Sequence, residues 1–152
     1  MARLEQEAHR LAEEALERQE RTLTELRART GTLFTVSVLV ASFLGARVLP
    51  RDGLSFWIVL ALFAFGVSIS SCVYVLLPKD DLVFALDGPQ AYEALYEFRY
   101  DADEIHRRLA YWLRVFGEAN LEVLDRSNRA FEIASVALIS EIAFWTLQIV
   151  LT

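Results

Sequence analysis

"ASVALISEIAFWTLQIVLT" (Ala134–Thr152) places one carboxylate, Glu141, inside a run that is otherwise apolar. A helix of about 20 apolar residues spans the hydrocarbon of a bilayer. A charge left at its centre costs roughly 2.5–3.5 kcal/mol on insertion scales. The run therefore predicts a transmembrane helix, and Glu141 predicts that something meets the carboxyl inside it.

At helical spacing Ala134, Ala137, Glu141, Trp145 and Gln148 share one side of this segment, with Phe131, Leu138, Ile142 and Ile149 on the other. A small-and-polar stripe opposite a greasy one is more than an anchor needs. Three readings of Glu141 stand open. It is hydrogen-bonded to a serine or threonine of another span, such as Ser37 or Ser68, and holds helices together. It lines, with Gln148, a lumen formed by a ring of identical helices, where carboxylates favour cations. Or it relays protons or acts as an acid. The ring is the reading carried forward, with the stripe as pore or packing face.

The rest of the chain is built to match. Of 152 residues, 55% are hydrophobic and 24% charged, and the mean hydropathy is +0.31. Residues 1–30 and 79–129 hold nearly all the charge, and residues 31–49, 54–77 and 130–151 almost none. Segregation of this kind predicts an all-α membrane protein. Its expected parts are an N-terminal amphipathic helix (1–30), transmembrane helices at 31–49 and 54–77, a cytoplasmic helical regulatory region (79–129) and a third transmembrane helix (130–151). The net charge of −6 argues against a general nucleic-acid binder. A lone cysteine, Cys72, excludes an intrachain disulfide, and the charged start predicts no removable signal peptide.

Residues 2–29 contain no Gly or Pro and are rich in Ala, Leu, Glu and Arg, a helix-forming composition. Leu4, Ala8, Leu11 and Ala15 form one apolar line, which Leu16, Leu23 and Leu26 continue; Glu14–Arg18 and Glu17–Arg21 support the polar side. "PRDG" (50–53) reads as a tight turn joining two spans into a hairpin. The ends beyond the hairpin then lie on one side of the membrane. Arg18, Arg21, Arg27 and Arg29 against Arg47 and Arg51 make that side the cytoplasm, so the expected location is the inner membrane with a cytoplasmic N-terminus. Ser37, Ala41 and Gly45 on the first span, with Gly66 and Ser70 on the second, are small residues suited to close helix packing.

Pro78 ends the second span, and Asp87–Gly88–Pro89 reads as a turn. Beyond it a helical region over 90–128, with a break expected near 100–103, carries Ile105, Leu109, Trp112, Leu113, Phe116 and Val123 on one face, with Tyr92, Leu95 and Tyr96 upstream. That face is expected to pack on the N-terminal helix. Arg107, Arg108 and Arg114 either pair with Glu104 and Glu118 or, repeated by symmetry, gather into an anion site. His9 and His106 lack a second ligand at metal spacing and read as surface residues. No phosphate loop, nucleophile elbow or cysteine pair is present, so neither an enzyme nor a cofactor is expected.

In this layout the chain resembles the small helical transmembrane effectors of bacterial antiphage signalling systems, of SLATT and Pycsar type and, by its three spans, the Hailong channel effector. The likeness lies in the polar helix running into "LRARTGTLFTVSVLVASFLGARVL", the short link, "FWIVLALFAFGVSISSCVYVLLP" and the late final span. It implies a homo-oligomer, a tetramer by the Hailong likeness, that forms an ion pore or disrupts the membrane. The trigger it implies is a nucleotide or DNA-oligomer signal from a partner nucleotidyltransferase. The alternative is a non-conducting scaffold that docks a partner.

Overall fold

The computed structural model describes residues 2–52, 55–79, 82 and 102–151. Three helices account for nearly all of them: α1 (Ala2–Asp52), α2 (Phe56–Leu76) and α3 (Ala102–Leu151). All three are long and apolar enough to cross a membrane. Among the described residues the architecture is therefore all-helical with three candidate spans, as the charge segregation predicts.

Two boundaries differ from expectation. The amphipathic helix runs into the first span as one helix, and this helix continues past the expected start of the turn, through Pro50 to Asp52 before the link. Proline lacks an N–H and removes one ladder bond; with two helical residues after it, the loss falls on the last turn. Likewise, α3 joins the expected regulatory helix to the third span without a break, because no Gly–Pro pair or loop composition intervenes. The Asp87–Gly88–Pro89 turn and the aromatic group Tyr92, Leu95 and Tyr96 lie outside the described residues.

The chain divides into two compact units. A polar unit combines Met1–Thr24 with Lys79–Asp125, and an apolar unit combines Glu25–Pro78 with Arg126–Thr152. In the polar unit Leu16, Leu23, Leu113 and Leu124 are buried, and the Gln19 amide donates to the Gly117 carbonyl at 3.1 Å. Ile105, Leu109, Trp112, Phe116 and Val123 are half-buried beside them. Leu16 and Leu23 thus pack as expected, but Ala8, Leu11 and Ala15 are exposed. Glu17–Arg21 and Glu14–Arg18 pair at 2.6 Å and 3.6 Å on the outside, where each such pair contributes only a few tenths of a kcal/mol.

In the apolar unit α1 and α3 run the same way and α2 runs against them: Ser68 near the end of α2 meets Ala134, while Ser55 at its start meets Gln148. Ser55 caps α2, its hydroxyl accepting from the Ile58 N–H at 3.4 Å. At the other end Arg27 of α1 donates to the Leu77 carbonyl at 3.4 Å, satisfying a terminal group of α2 before Pro78. Val48, Ile58, Ala61 and Trp145 form the core near the link, with Val40, Leu44 and Phe144 against it. Outward stand Phe43 and Phe63, 73% and 70% exposed. Side chains of that size on the outside of an apolar helical unit suit hydrocarbon and not water.

Gly117 tests the packing of the polar unit. A Cβ there would lie 3.7 Å from Gln19 Nε2 and 3.8 Å from Leu16 Cδ2, ordinary contact distances. Gly117→Ala is therefore expected to stabilise the detergent-solubilised protein by about 0.5–1 kcal/mol through helix propensity alone. Unfolding in denaturing detergent, followed by circular dichroism, measures it; a loss of stability would mean the helices lie closer than described.

Candidate functional site

Glu141 is fully buried within a single chain. The Ser37 hydroxyl of α1 donates to its Oε2 at 2.8 Å, across 104 residues of sequence. The indole N–H of fully buried Trp145, one helical turn further along α3, approaches the same carboxyl. The carboxyl is thus met from α1 by Ser37 and from its own helix by Trp145.

The surrounding stripe faces inward as a whole. Ala134, Ala137, Trp145 and Gln148 are all buried with Glu141. The Ser68 hydroxyl donates to the Ala134 carbonyl at 3.3 Å, and the Ser55 hydroxyl donates to Gln148 Oε1. Thr30 and Ser127 are buried as well, the Thr30 hydroxyl returning to the Leu26 carbonyl at 2.7 Å. Of the three readings open for Glu141, hydrogen bonding to Ser37 is the arrangement found. Within one chain the carboxyl therefore has no surface at which a shared lumen would meet it.

The small-residue rows divide. Ser37 and Gly45 are buried and Ala41 is half-buried, so the row on the first span packs inside the chain. Gly66 and Ser70 are exposed; α2 turns Ala61, Ala64, Ser68, Cys72 and Val75 inward instead. The correction has a simple cause. A row of four-residue steps drifts around a helix, and α2 carries a second small row, through Ala61, Ala64 and Ser68, that matches Ala134.

A stronger signal was present than small residues. Along α3 the buried or half-buried positions His106, Leu113, Asn120, Ser127, Ala134, Glu141 and Gln148 follow one another at steps of seven. Along α1 the same holds for His9, Leu16, Leu23, Thr30, Ser37 and Leu44. A seven-residue repeat keeps one seam of a helix facing its neighbour. Thr30, Asn120 and Ser127 belong to these seams and were missed because a search for apolar periodicity passes over polar residues.

The histidines are also corrected by this register. His9 and His106 are half-buried, their rings 5.6 Å apart, not surface residues. His9 Nε2 lies 3.5 Å from Glu13 Oε1, beside a cavity of about 440 Å³ lined by Gln6, Glu7, Arg10 and both rings. Among the described residues no three side chains are grouped to hold a metal ion. The arginines take the ordinary alternative: Arg107 and Arg108 pair with Glu104, and Arg114 with Glu118 at 2.8 Å, all on α3's exposed side. The hydrogen bond Arg114 donates to Glu118, and then the charge of that carboxylate, hold the Arg114 guanidinium above its usual pKa.

Comparison of the chain with protein-family models, with characterised proteins and with solved structures finds no match.

The Ser37–Glu141 contact is open to measurement. A double-mutant cycle with Ser37→Ala and Glu141→Gln is expected to give a coupling of about 0.6–1.7 kcal/mol, the range of interhelical hydrogen bonds in membrane proteins. Unfolding in mixed micelles supplies the four stabilities, and additive effects would mean that the two side chains do not interact.

Proposed function

We propose that this chain is a self-assembling membrane effector that makes the bilayer permeable on receiving a signal, with its polar helices regulating its spans. The observation that carries the reading is the polar interior of the apolar unit, where Glu141, Gln148, Ser37 and Ser68 are buried together. Helices that only anchor a protein have no need of it, since buried polar groups in lipid are costly unless satisfied. The arginines before the first span support insertion in the inner membrane with the N-terminus in the cytoplasm. The arrangement shared with antiphage effectors supports a nucleotide or oligonucleotide as the trigger, supplied by a partner nucleotidyltransferase.

A second reading is favoured by one observation. Glu141 pairs inside one chain with Ser37, which suits a non-conducting scaffold whose carboxyl only fixes helix register. The two readings part on function: the scaffold is silent in a bilayer at every protein density.

Glu141→Ala and Glu141→Gln are each expected to keep membrane insertion while changing conductance in planar-bilayer recordings and relieving toxicity on overproduction. Recordings in which both variants conduct as the wild type does would remove Glu141 from the conducting path. A purified protein that is monomeric by light scattering and passes no current would favour the scaffold.

A further inference from the structure

We propose that Arg27, with the open space beside Gly31, binds the phosphate of an anionic phospholipid at one end of the apolar unit. The proposal needs the spans to lie in a bilayer and stands whether or not the chain conducts.

Depth is the first argument. Residues 30–46 hold no charged side chain, and Arg29 and Arg47 bracket them. From Arg29 to Arg47 the helix rises about 27 Å at 1.5 Å per residue, close to the ~30 Å thickness of bilayer hydrocarbon. Arg27 therefore falls just outside the hydrocarbon, in the layer of lipid phosphates. Tyr74 of α2, 43% exposed one turn before Leu77, stands at the same end, as aromatic side chains do at membrane interfaces.

Charge is the second. Arg21 and Arg29, on either side of Arg27 along α1, each pair with a carboxylate one turn away. Arg27 pairs with no carboxylate among the described residues. What it makes is one long hydrogen bond, from Nη2 to the Leu77 carbonyl at 3.4 Å. Its Nε is buried without a partner, so the stem is packed inside while the guanidinium end comes out beside Leu77, itself 54% exposed. The other Nη hydrogens have no acceptor among the described residues. Paired Nη groups of a guanidinium match two oxygens of a phosphate.

Space is the third. Gly31 lies one turn from Arg27 on the same face of α1, and a Cβ there would meet nothing within 4 Å. Helix side chains lean toward the N-terminus, so Arg27 reaches away from the span and Gly31 lies a turn deeper. Phe34 and Val38 continue that face into the span, both half-buried. A lipid whose phosphate meets Arg27 has its glycerol at Gly31 and an acyl chain along this apolar edge. A soluble phosphate compound would meet the guanidinium and leave the edge uncovered, so the observations favour the lipid.

The full-length protein in detergent micelles, with phosphatidylglycerol or phosphatidylcholine added and bound lipid counted by native mass spectrometry, tests the proposal. Phosphatidylglycerol is expected to bind about fivefold tighter, the worth of one arginine at an anionic surface. Arg27→Gln is expected to bring the two lipids level, and Gly31→Leu to lower phosphatidylglycerol binding toward the same level by filling the space. Arg29→Gln is expected to keep the preference. Circular dichroism checks that each variant is helical; should Arg27→Gln fail to fold, Gly31→Leu decides, since it places a helix-favouring residue in open space. A wild type without the preference overturns the site, and so does an undiminished preference in Arg27→Gln or Gly31→Leu. Equal losses in Arg27→Gln and Arg29→Gln overturn it in favour of diffuse attraction. Displacement of the lipid by excess glycerol phosphate overturns the lipid in favour of a soluble phosphate. Conduction is read separately in bilayer recordings, so the two readings fail independently.

Discussion

A carboxyl withdrawn from water has to be met by protein, and here a serine from a distant helix meets one of its oxygens. That constraint orders the apolar unit. For Ser37 to reach Glu141 Oε2, α1 and α3 must hold a single register, since a slip of one residue turns either side chain by about 100°. Once the register is set, Thr30 and Ser127 fall inside, Ser68 finds the Ala134 carbonyl, and Ser55 finds Gln148. Apolar packing alone would tolerate neighbouring registers. The polar contacts would not, because each misalignment strands a donor or acceptor where no solvent replaces the partner.

The unit is accordingly arranged with polar groups within and large apolar side chains outside. Phe43, Phe56, Phe63 and Ile139 stand exposed, while Glu141, Gln148, Ser37 and Ser68 are buried. A water-soluble bundle reverses that order. The small side chains of Ala61, Ala64, Ala134 and Ala137 let the helices approach closely enough for hydroxyls to reach across.

Much of this was legible in the chain, and the failures share one origin. The spans follow from apolar length, and the stripe through Glu141 follows from helical spacing, because both depend on local pattern alone. The line Leu4–Ala8–Leu11–Ala15 attracted attention as apolar, yet Ala8, Leu11 and Ala15 are exposed and His9 lies on the seam. Gly66 and Ser70 were as small as Ala64 and Ser68, and only the partner helix distinguishes them. Reading the seven-residue steps without regard to polarity would have placed His9, Thr30, Asn120 and Ser127 correctly.

Ser55 carries a consequence of its own. The same hydroxyl accepts the Ile58 N–H that begins α2 and donates to the Gln148 side chain on α3. The start of one helix and the seating of another are thereby fused into a single atom with two obligations. Aspartate and asparagine, which begin helices as well as serine does, would fare differently here. The first offers no hydrogen and would oblige the glutamine to reverse its amide, and the second would need two separate atoms for the two contacts. Of the residues suited to opening a helix, serine and threonine serve both neighbours through one atom.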